Sequence, residues 1–88
     1  MVEREFIQAL SLIKASKYRE EIMNAIGDNI KLPSEISAQT DIRLNHVSSV
    51  LRTLKEHGLV ECLNEESKRG RLYKLTELGK NAIREIRK

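Results

Sequence analysis

The sequence predicts a mainly α-helical fold with one small β-hairpin near its C-terminal end. Two observations predict it: apolar residues recur at helical spacing through most of the chain, and two short strand-like segments flank a charged loop. The 88 residues are 40% hydrophobic but only 3% aromatic, so aliphatic side chains must fill the core. A chain of this length supports one such core, and we therefore expect a single domain over residues 1–88.

Composition argues against several classes of protein. Charged residues make up 33% of the chain, and no apolar run reaches the roughly 18 residues that a transmembrane helix needs. Acidic residues at Glu3 and Glu5 argue against a signal peptide. The single cysteine, Cys62, cannot form an internal disulfide, which is typical of a reducing compartment. We therefore expect a cytoplasmic protein with no membrane partner.

The first predicted helix runs from Glu3 to Lys14. Its apolar stripe follows the i, i+3, i+4, i+7 spacing of an amphipathic helix and consists of Phe6, Ala9, Leu10 and Ile13. Ile7 and Leu12 fall outside this stripe, so the helix is apolar over much of its circumference. Two interpretations remain open: a wide core-facing surface, or a surface that binds a second subunit.

A second helix is predicted after Ser16, whose hydroxyl can cap the free N–H groups of the next turn. The helix stops at the turn residues that begin with Gly27, and its apolar face consists of Tyr18, Ile22, Ala25 and Ile26. The periodicity is equally compatible with a single helix that bends near Ser16.

A short helix and a tight turn follow an extended segment over residues 30–32. Pro33 suits the first helical position, and Glu35 is favourable in the positively polarised first turn. This third helix is predicted to run to Gln39 and to bury Ile36. In the turn after it, over residues 40–42, Asp41 tolerates left-handed backbone angles better than most residues.

The fourth predicted helix runs from Arg43 to His57. Its apolar stripe again follows the helical spacing and consists of Val47, Val50, Leu51 and Leu54. Gly58 is expected to end the helix in a left-handed conformation, which places Leu59 against Leu54.

Two strands and a closing helix complete the chain. The strands are predicted over residues 59–63 and 71–75, with a charged hairpin loop over residues 64–70 between them. Thr76 is expected to cap the last helix, whose apolar residues are spaced by four: Leu78, Ala82 and Ile86.

The order of short helix, tight turn, longer helix and β-hairpin is that of a helix-turn-helix followed by a wing. In such a fold the first helix of the pair holds the second one out, so that its polar face enters the major groove of DNA. The side chains opposite or beside the apolar stripe of the fourth helix are hydrogen-bonding types that can read base edges. Base contacts are therefore predicted for Asn45, His46, Ser48, Ser49 and Arg52.

The chain resembles the winged helix-turn-helix transcriptional regulators of the ArsR/MarR-like group, from about Leu12 to the C-terminus. The resemblance is carried by residues 34–42, by residues 47–51, by an LxxxGLV pattern over residues 54–60 and by a YxLTxxG pattern over residues 73–79. Ser37 stands where that group often has alanine, and Asp41 where glycine is usual; both replacements are compatible with the turn. The resemblance implies a DNA-binding regulator that forms a dimer through its terminal helices.

The charge distribution agrees with a nucleic-acid partner. Residues 43–74 carry seven basic and four acidic residues, whereas residues 1–32 are balanced at five and five. Contacts to the DNA backbone are predicted for Ser34, Thr40, Arg43, Lys55, Lys68, Arg69 and Arg71. The alternative for the wing cations is a solvated hairpin tip, which Glu65 and Glu66 make plausible.

Catalysis, cofactor binding and metal binding are not predicted. The four glycines are scattered, no CxxC pattern occurs, and His46 and His57 lack partners at metal-ligand spacing. Cys62 is interpreted as a small structural residue of a strand, and Tyr18 and Tyr73 as residues at the edge of the core. No small-molecule effector can be identified.

The sequence therefore predicts a homodimeric, sequence-specific DNA-binding regulator of transcription. One alternative is a winged helix that serves as a protein-interaction module within a larger transcription or replication assembly, because the fold alone does not choose between these roles. Another is non-specific architectural DNA binding, although a net charge of +3 is modest for it. A protein-binding surface should expose apolar residues on the fourth helix, where only Leu44 does not fit a polar face.

Overall fold

The computed structural model describes residues 2–88, with side chains from Arg4 onward, so Met1 of the predicted domain lies outside it. Five helices and a two-stranded antiparallel sheet follow one another along the chain. The elements are α1 (Val2–Lys14), α2 (Lys17–Ile26), α3 (Pro33–Thr40), α4 (Leu44–Glu56), β1 (Val60–Cys62), β2 (Tyr73–Leu75) and α5 (Glu77–Ile86). The predicted fold class, mainly α with a β-hairpin wing after a helix-turn-helix, is confirmed.

The first two helices are separate, which resolves the alternative of one bent helix. Ser16 occupies the predicted position before α2, with extended backbone angles, but the prediction that its hydroxyl caps the helix is wrong, because its side chain makes no capping hydrogen bond. Instead, the Arg19 guanidinium donates to the carbonyl of Leu12 at 2.8 Å and joins α2 to the end of α1. Gly27 ends α2 with a positive φ of 54°.

The turn between α3 and α4 is fixed by local hydrogen bonds. Pro33 is the first residue of α3, and the Glu35 carboxylate accepts from the Leu32 N–H at 2.8 Å. Asp41 adopts the left-handed conformation predicted for it, with φ 64°. The hydroxyl of Ser37 donates across the turn to the carbonyl of Ile42 at 2.5 Å. A serine in place of the usual alanine thus ties α3 to the turn that leads into α4.

The hairpin is shorter than predicted and gains a third partner. The strands pair with Val60 opposite Leu75 and Cys62 opposite Tyr73, and one further backbone hydrogen bond joins Leu63 to Leu72. On the other side of β2, Tyr73 exchanges two backbone hydrogen bonds of 2.9 Å with Lys31. The extended segment before α3 is therefore bonded to the wing, which fixes the wing beside the helix-turn-helix.

A single aliphatic core joins all the helices to the hairpin. The predicted stripe of α4 is wholly buried, as are Ala9, Ile13 and Ile36. The core also contains Met23 and Ile83, which the predicted stripes of α2 and α5 did not include. Leu78 and Ile86 are only partly buried. The prediction for Tyr73 is confirmed, whereas Tyr18 remains 46% exposed and lies outside the core.

The root of the hairpin, defined here as Gly58, Leu59, Thr76 and Gly79, is packed tightly. The hydroxyl of Thr76 accepts from the Gly79 N–H at 3.0 Å, which is the predicted cap of α5, and donates to the Gly58 carbonyl at 2.6 Å. A Cβ atom on Gly79 would lie 2.1 Å from the Leu59 carbonyl oxygen. Only glycine permits this approach, and the end of the wing is thereby held against the end of α4.

Candidate nucleic-acid interface

Helix α4 has one buried face and one exposed face. Its four buried residues fix the helix in rotation about its axis. Because successive residues turn by about 100°, Asn45, Ser49 and Arg52 fall on the opposite side, and all three are exposed. At the C-terminal end, the Leu59 N–H bonds to the Leu54 carbonyl at 2.9 Å and Gly58 has φ 73°, the cap that the sequence predicts.

A cleft of about 720 Å³ lies between α4, the start of α3 and the wing tip, which we define as residues 64–71. One flank of α4 supplies Leu44, Ser48, Arg52 and Lys55 to this cleft. Ser34 enters from α3, and the wing tip contributes Lys68, Arg69 and Arg71. Within the described chain, the lining therefore has five cationic side chains and no carboxylate. Such a surface attracts an anionic partner.

The predicted base-contacting residues fall into three groups around α4. Ser48 and Arg52 line the cleft, whereas Asn45 and Ser49 are exposed on the outer face. His46 lies on the far flank, where its ring centroid is 4.5 Å from that of Tyr18 at an interplanar angle of 57°. Tyr18 is thus an exposed partner of the first turn of α4 and not, as predicted, a residue of the core edge.

Of the residues predicted to contact the DNA backbone, Ser34, Lys55, Lys68, Arg69 and Arg71 line the cleft. Arg43 is exposed at the position just before α4. Thr40 is engaged in the turn: its hydroxyl donates to the Ile36 carbonyl at 2.7 Å and accepts from the Ile42 N–H at 3.3 Å. The hydroxyl proton of Thr40 is therefore already donated within the fold and is not available to a phosphate.

Lys55 is not a free cation in this structure. Its ammonium group pairs with the Glu65 carboxylate of the wing tip at 2.5 Å. The hydrogen bond to Glu65 raises the pKa of Lys55, and the same bond lowers the pKa of Glu65. The Glu65 side chain is 60% exposed and that of Lys55 is 35% exposed, and a pair that water reaches in this way is weak and sensitive to salt.

Side-chain hydrogen bonds hold the wing tip together. The Asn64 amide donates to the Gly70 carbonyl at 3.0 Å, and its oxygen accepts from the Leu72 N–H at 2.8 Å. The Arg71 Nε donates to the Ser67 carbonyl at 2.8 Å. Arg71 therefore shapes the loop as well as adding charge, whereas Lys68 and Arg69 are exposed at its end.

Sequence reasoning missed two features of this surface. The ion pair between Lys55 and Glu65 joins residues ten positions apart, and no local pattern signals it. Leu44 lines the cleft although it did not fit the polar face of the helix. The signal for Leu44 was present in its spacing, because Leu44, Ser48 and Arg52 are four residues apart and form one row on the helix.

Other kinds of site find little support in the described residues. Among the side chains that the structure describes, from Arg4 onward, no group of three or more His, Cys, Asp and Glu residues is arranged to hold a metal ion. Cys62 has a free, partly buried thiol whose contact is with the Asn64 side chain at 3.6 Å. In that part of the chain, no helix is long and apolar enough to cross a membrane.

Comparison with known structures gives several similar folds. MarR from E. coli in its apo form is 25% identical with a TM-score of 0.72, over 96% of this chain and 64% of the MarR chain. A MarR mutant complexed with operator DNA is also 25% identical, with a TM-score of 0.70 over 96% and 61% of the two chains. Reduced HlyU from Vibrio cholerae is 22% identical, with a TM-score of 0.72 over 98% and 94%.

The present chain spans only part of some of these proteins. It covers 50% of a mutant of ZitR from Lactococcus lactis, which is 22% identical with a TM-score of 0.72 over 82% of this chain. Comparison with curated protein sequences gives no match. A family model described as a winged helix DNA-binding domain matches residues 18–79, from α2 to the start of α5. The chain therefore belongs to the winged helix DNA-binding domain family.

Proposed function

We propose that this protein binds double-stranded DNA through the cleft and the outer face of α4, and thereby regulates transcription. The observation that carries the proposal is the convergence of Arg52, Lys68, Arg69 and Arg71 from two separate elements on one cleft. The MarR neighbour that was solved with operator DNA supports it. The proposed role is one of binding without catalysis, for a protein located in the cytoplasm.

In this proposal α4 lies in the major groove. Asn45 and Arg52 have the geometry to pair bidentately with adenine and guanine, and the serines can pair with either. Lys68 and Arg69 bind phosphates beside the groove or enter the adjacent minor groove. Ser34, in the same cleft, and Arg43, just before α4, are proposed to bind further phosphates. Thr40 supports this arrangement through the turn.

The polar character of the α4 surface favours DNA over a protein partner. A helix that docks on another protein presents an apolar stripe, whereas the exposed face here consists mainly of Asn45, Ser49 and Arg52. Leu44 is the single large apolar side chain exposed on the described length of this helix.

We also propose a homodimer in which α1 contributes to the interface. Ile7 is 61% exposed on α1, and Phe6 and Leu10 beside it are partly buried. Leu12 does not share this surface: it is five residues from Ile7, about 140° around the helix, and packs against the core beside α5. Ile7 is therefore the residue that tests the interface.

Selection from random duplex DNA tests the DNA-binding proposal. The expected result is an enriched palindrome whose half-sites are about 34–36 Å apart, or a multiple of that distance, as two copies of a helix-turn-helix require. Equal retention of all sequences would indicate non-specific architectural binding. No retention of duplex DNA would overturn the proposal.

Sedimentation equilibrium tests the dimer. The wild type should be dimeric at tens of micromolar protein, and Ile7→Glu should be monomeric because the change buries a charge at the interface. Ile30→Glu is the matched control, since Ile30 is also exposed, at 52%, but lies outside the terminal helices. A monomeric wild type contradicts the proposed dimer, and a dimer that survives Ile7→Glu excludes Ile7 from the interface.

A further inference from the structure

Leu44 is an apolar side chain in an otherwise polar and cationic surface. It is 50% exposed and belongs neither to the buried core nor to the partly buried residues packed against it. Singly exposed leucines are common on protein surfaces, so exposure alone assigns no role to Leu44. The role follows from the position of Leu44 on α4.

Leu44 lies at the end of α4 that enters the groove in helix-turn-helix proteins. It is the first residue of the helix, and residues at this end are among those that reach base edges. Because Leu44, Ser48 and Arg52 are spaced by four, they form one row along the helix, and all three line the same cleft.

A partner of this row must offer an apolar group at Leu44 and anionic groups at the neighbouring cations. The cations around the cleft require an anionic surface, while Leu44 requires an apolar group within that surface. In the major groove of DNA, the thymine C5-methyl is the apolar group among the hydrogen-bonding atoms of the base edges. A duplex therefore offers phosphates to the cations and, at one position, a methyl group to the leucine.

Resting on the proposed function, we infer that Leu44 reads a thymine methyl group and so determines one position of the DNA site. This contact carries different information from that of Arg52, which reads hydrogen-bonding atoms. It also gives a role to the one residue of α4 that a purely polar recognition face leaves unexplained.

The test replaces each thymine of the selected DNA site by deoxyuridine, one at a time, which removes the methyl group and preserves base pairing. At one thymine per half-site, the wild type should bind about fourfold more weakly, the factor expected when one methyl-sized group loses its burial. Leu44→Ala should bind the thymine site more weakly than the wild type and be insensitive to the same replacement. Ile30→Ala, which changes a similarly exposed aliphatic residue, should retain the wild-type sensitivity.

The outcomes distinguish this inference from the proposed function. If the protein binds its site specifically but no deoxyuridine replacement affects the wild type more than Leu44→Ala, the inference is overturned and the DNA-binding proposal stands. Absence of duplex binding overturns both. Circular dichroism of Leu44→Ala should match the wild type, because a half-exposed side chain outside the core contributes little to folding.

Discussion

At its root the β-hairpin is joined to the helices by buried contacts, whereas at its tip it is joined by exposed polar ones. Leu59 is buried at the root, where Gly79 packs directly on its backbone. At the tip, Asn64 and Arg71 shape the loop by hydrogen bonds, and the ion pair of Lys55 with Glu65 ties it to α4.

The difference separates stability from adjustability. Buried close packing has discrete arrangements and resists deformation, so the root holds the wing at a fixed place beside α4. Exposed hydrogen bonds and ion pairs compete with water and salt, and a phosphate can replace one partner of such a pair. The wing tip can therefore adapt to DNA while the root keeps it in position.

The largest expected effect is at the root. Gly79→Ala places a Cβ 2.1 Å from the Leu59 carbonyl oxygen, a clash between two backbones that no side-chain rotation relieves. We expect a loss of about 3 kcal/mol or more in the free energy of unfolding, at or above the usual range for overpacking, measured by urea denaturation.

Gly58→Ala is the matched control within the root. Gly58 has open space around its Cβ position but a φ of 73°, so only the left-handed backbone is penalised, by about 1–2 kcal/mol. If Gly79→Ala costs less than Gly58→Ala, close packing does not hold the root.

Much of this fold could be predicted from the sequence because its signals are local. The stripe of α4, the left-handed Asp41 and Gly58, and the Thr76 cap each depend on residues within a few positions of one another. The prediction for Tyr18 was wrong because periodicity identifies the apolar face of a helix but not how far along and around the helix the rest of the fold buries that face. Met23 and Ile83 were missed for the same reason.

The candidate site was less predictable because its residues meet across the chain. The sequence identified polar residues of α4 and cations of the wing, but the cleft depends on how the hairpin folds back toward α4. The hydrogen bonds between Lys31 and Tyr73, which help to set that arrangement, join residues 42 positions apart and have no local signature. The same holds for the pairing of Lys55 with Glu65.

The second prediction concerns α4, which forms one side of the cleft. Arg52→Ala should weaken binding to the selected site by about 1–3 kcal/mol and relax specificity at one base pair, with little change in stability because Arg52 is exposed. Electrophoretic mobility shifts on single-base variants of the site measure this. The control is Arg84→Ala, which changes an exposed arginine of α5. If Arg52→Ala leaves the sequence preference unchanged, Arg52 does not contact bases in the groove.

The third prediction concerns the charges of the wing tip. Replacing Lys68 and Arg69 together by alanine should weaken binding to all sequences about equally and flatten the slope of log affinity against log salt by about two. Changing Lys17 and Arg84 to alanine removes the same net charge from exposed positions away from the cleft and should leave the slope nearly unchanged. Equal slopes for the two double variants would assign the wing cations to solvent.

The smallest expected effect concerns the ion pair that joins the tip to α4. In the pair, the pKa of Glu65 is lowered from its ordinary value of 4.5 and that of Lys55 is raised, so both groups stay charged through neutral pH. Because folding lowers the pKa of this carboxyl group, the pair stabilises the fold at pH values above the ordinary pKa. That stability is lost as the pH falls through the lowered pKa. The pair is exposed, and we therefore expect its removal to change folding stability little.

Its effect on DNA binding should be larger, because a phosphate competes with Glu65 for the same ammonium group. Glu65→Gln frees Lys55, so binding should strengthen a fewfold and the salt slope should steepen by up to about one. Glu66→Gln removes the same charge from the neighbouring residue, for which the described chain has no ion pair, and should produce only the general gain from losing a negative charge. Equal effects of the two variants would mean that the pair does not restrain Lys55. Weaker binding by Glu65→Gln would mean that the pair orients the wing tip for DNA instead of competing with it.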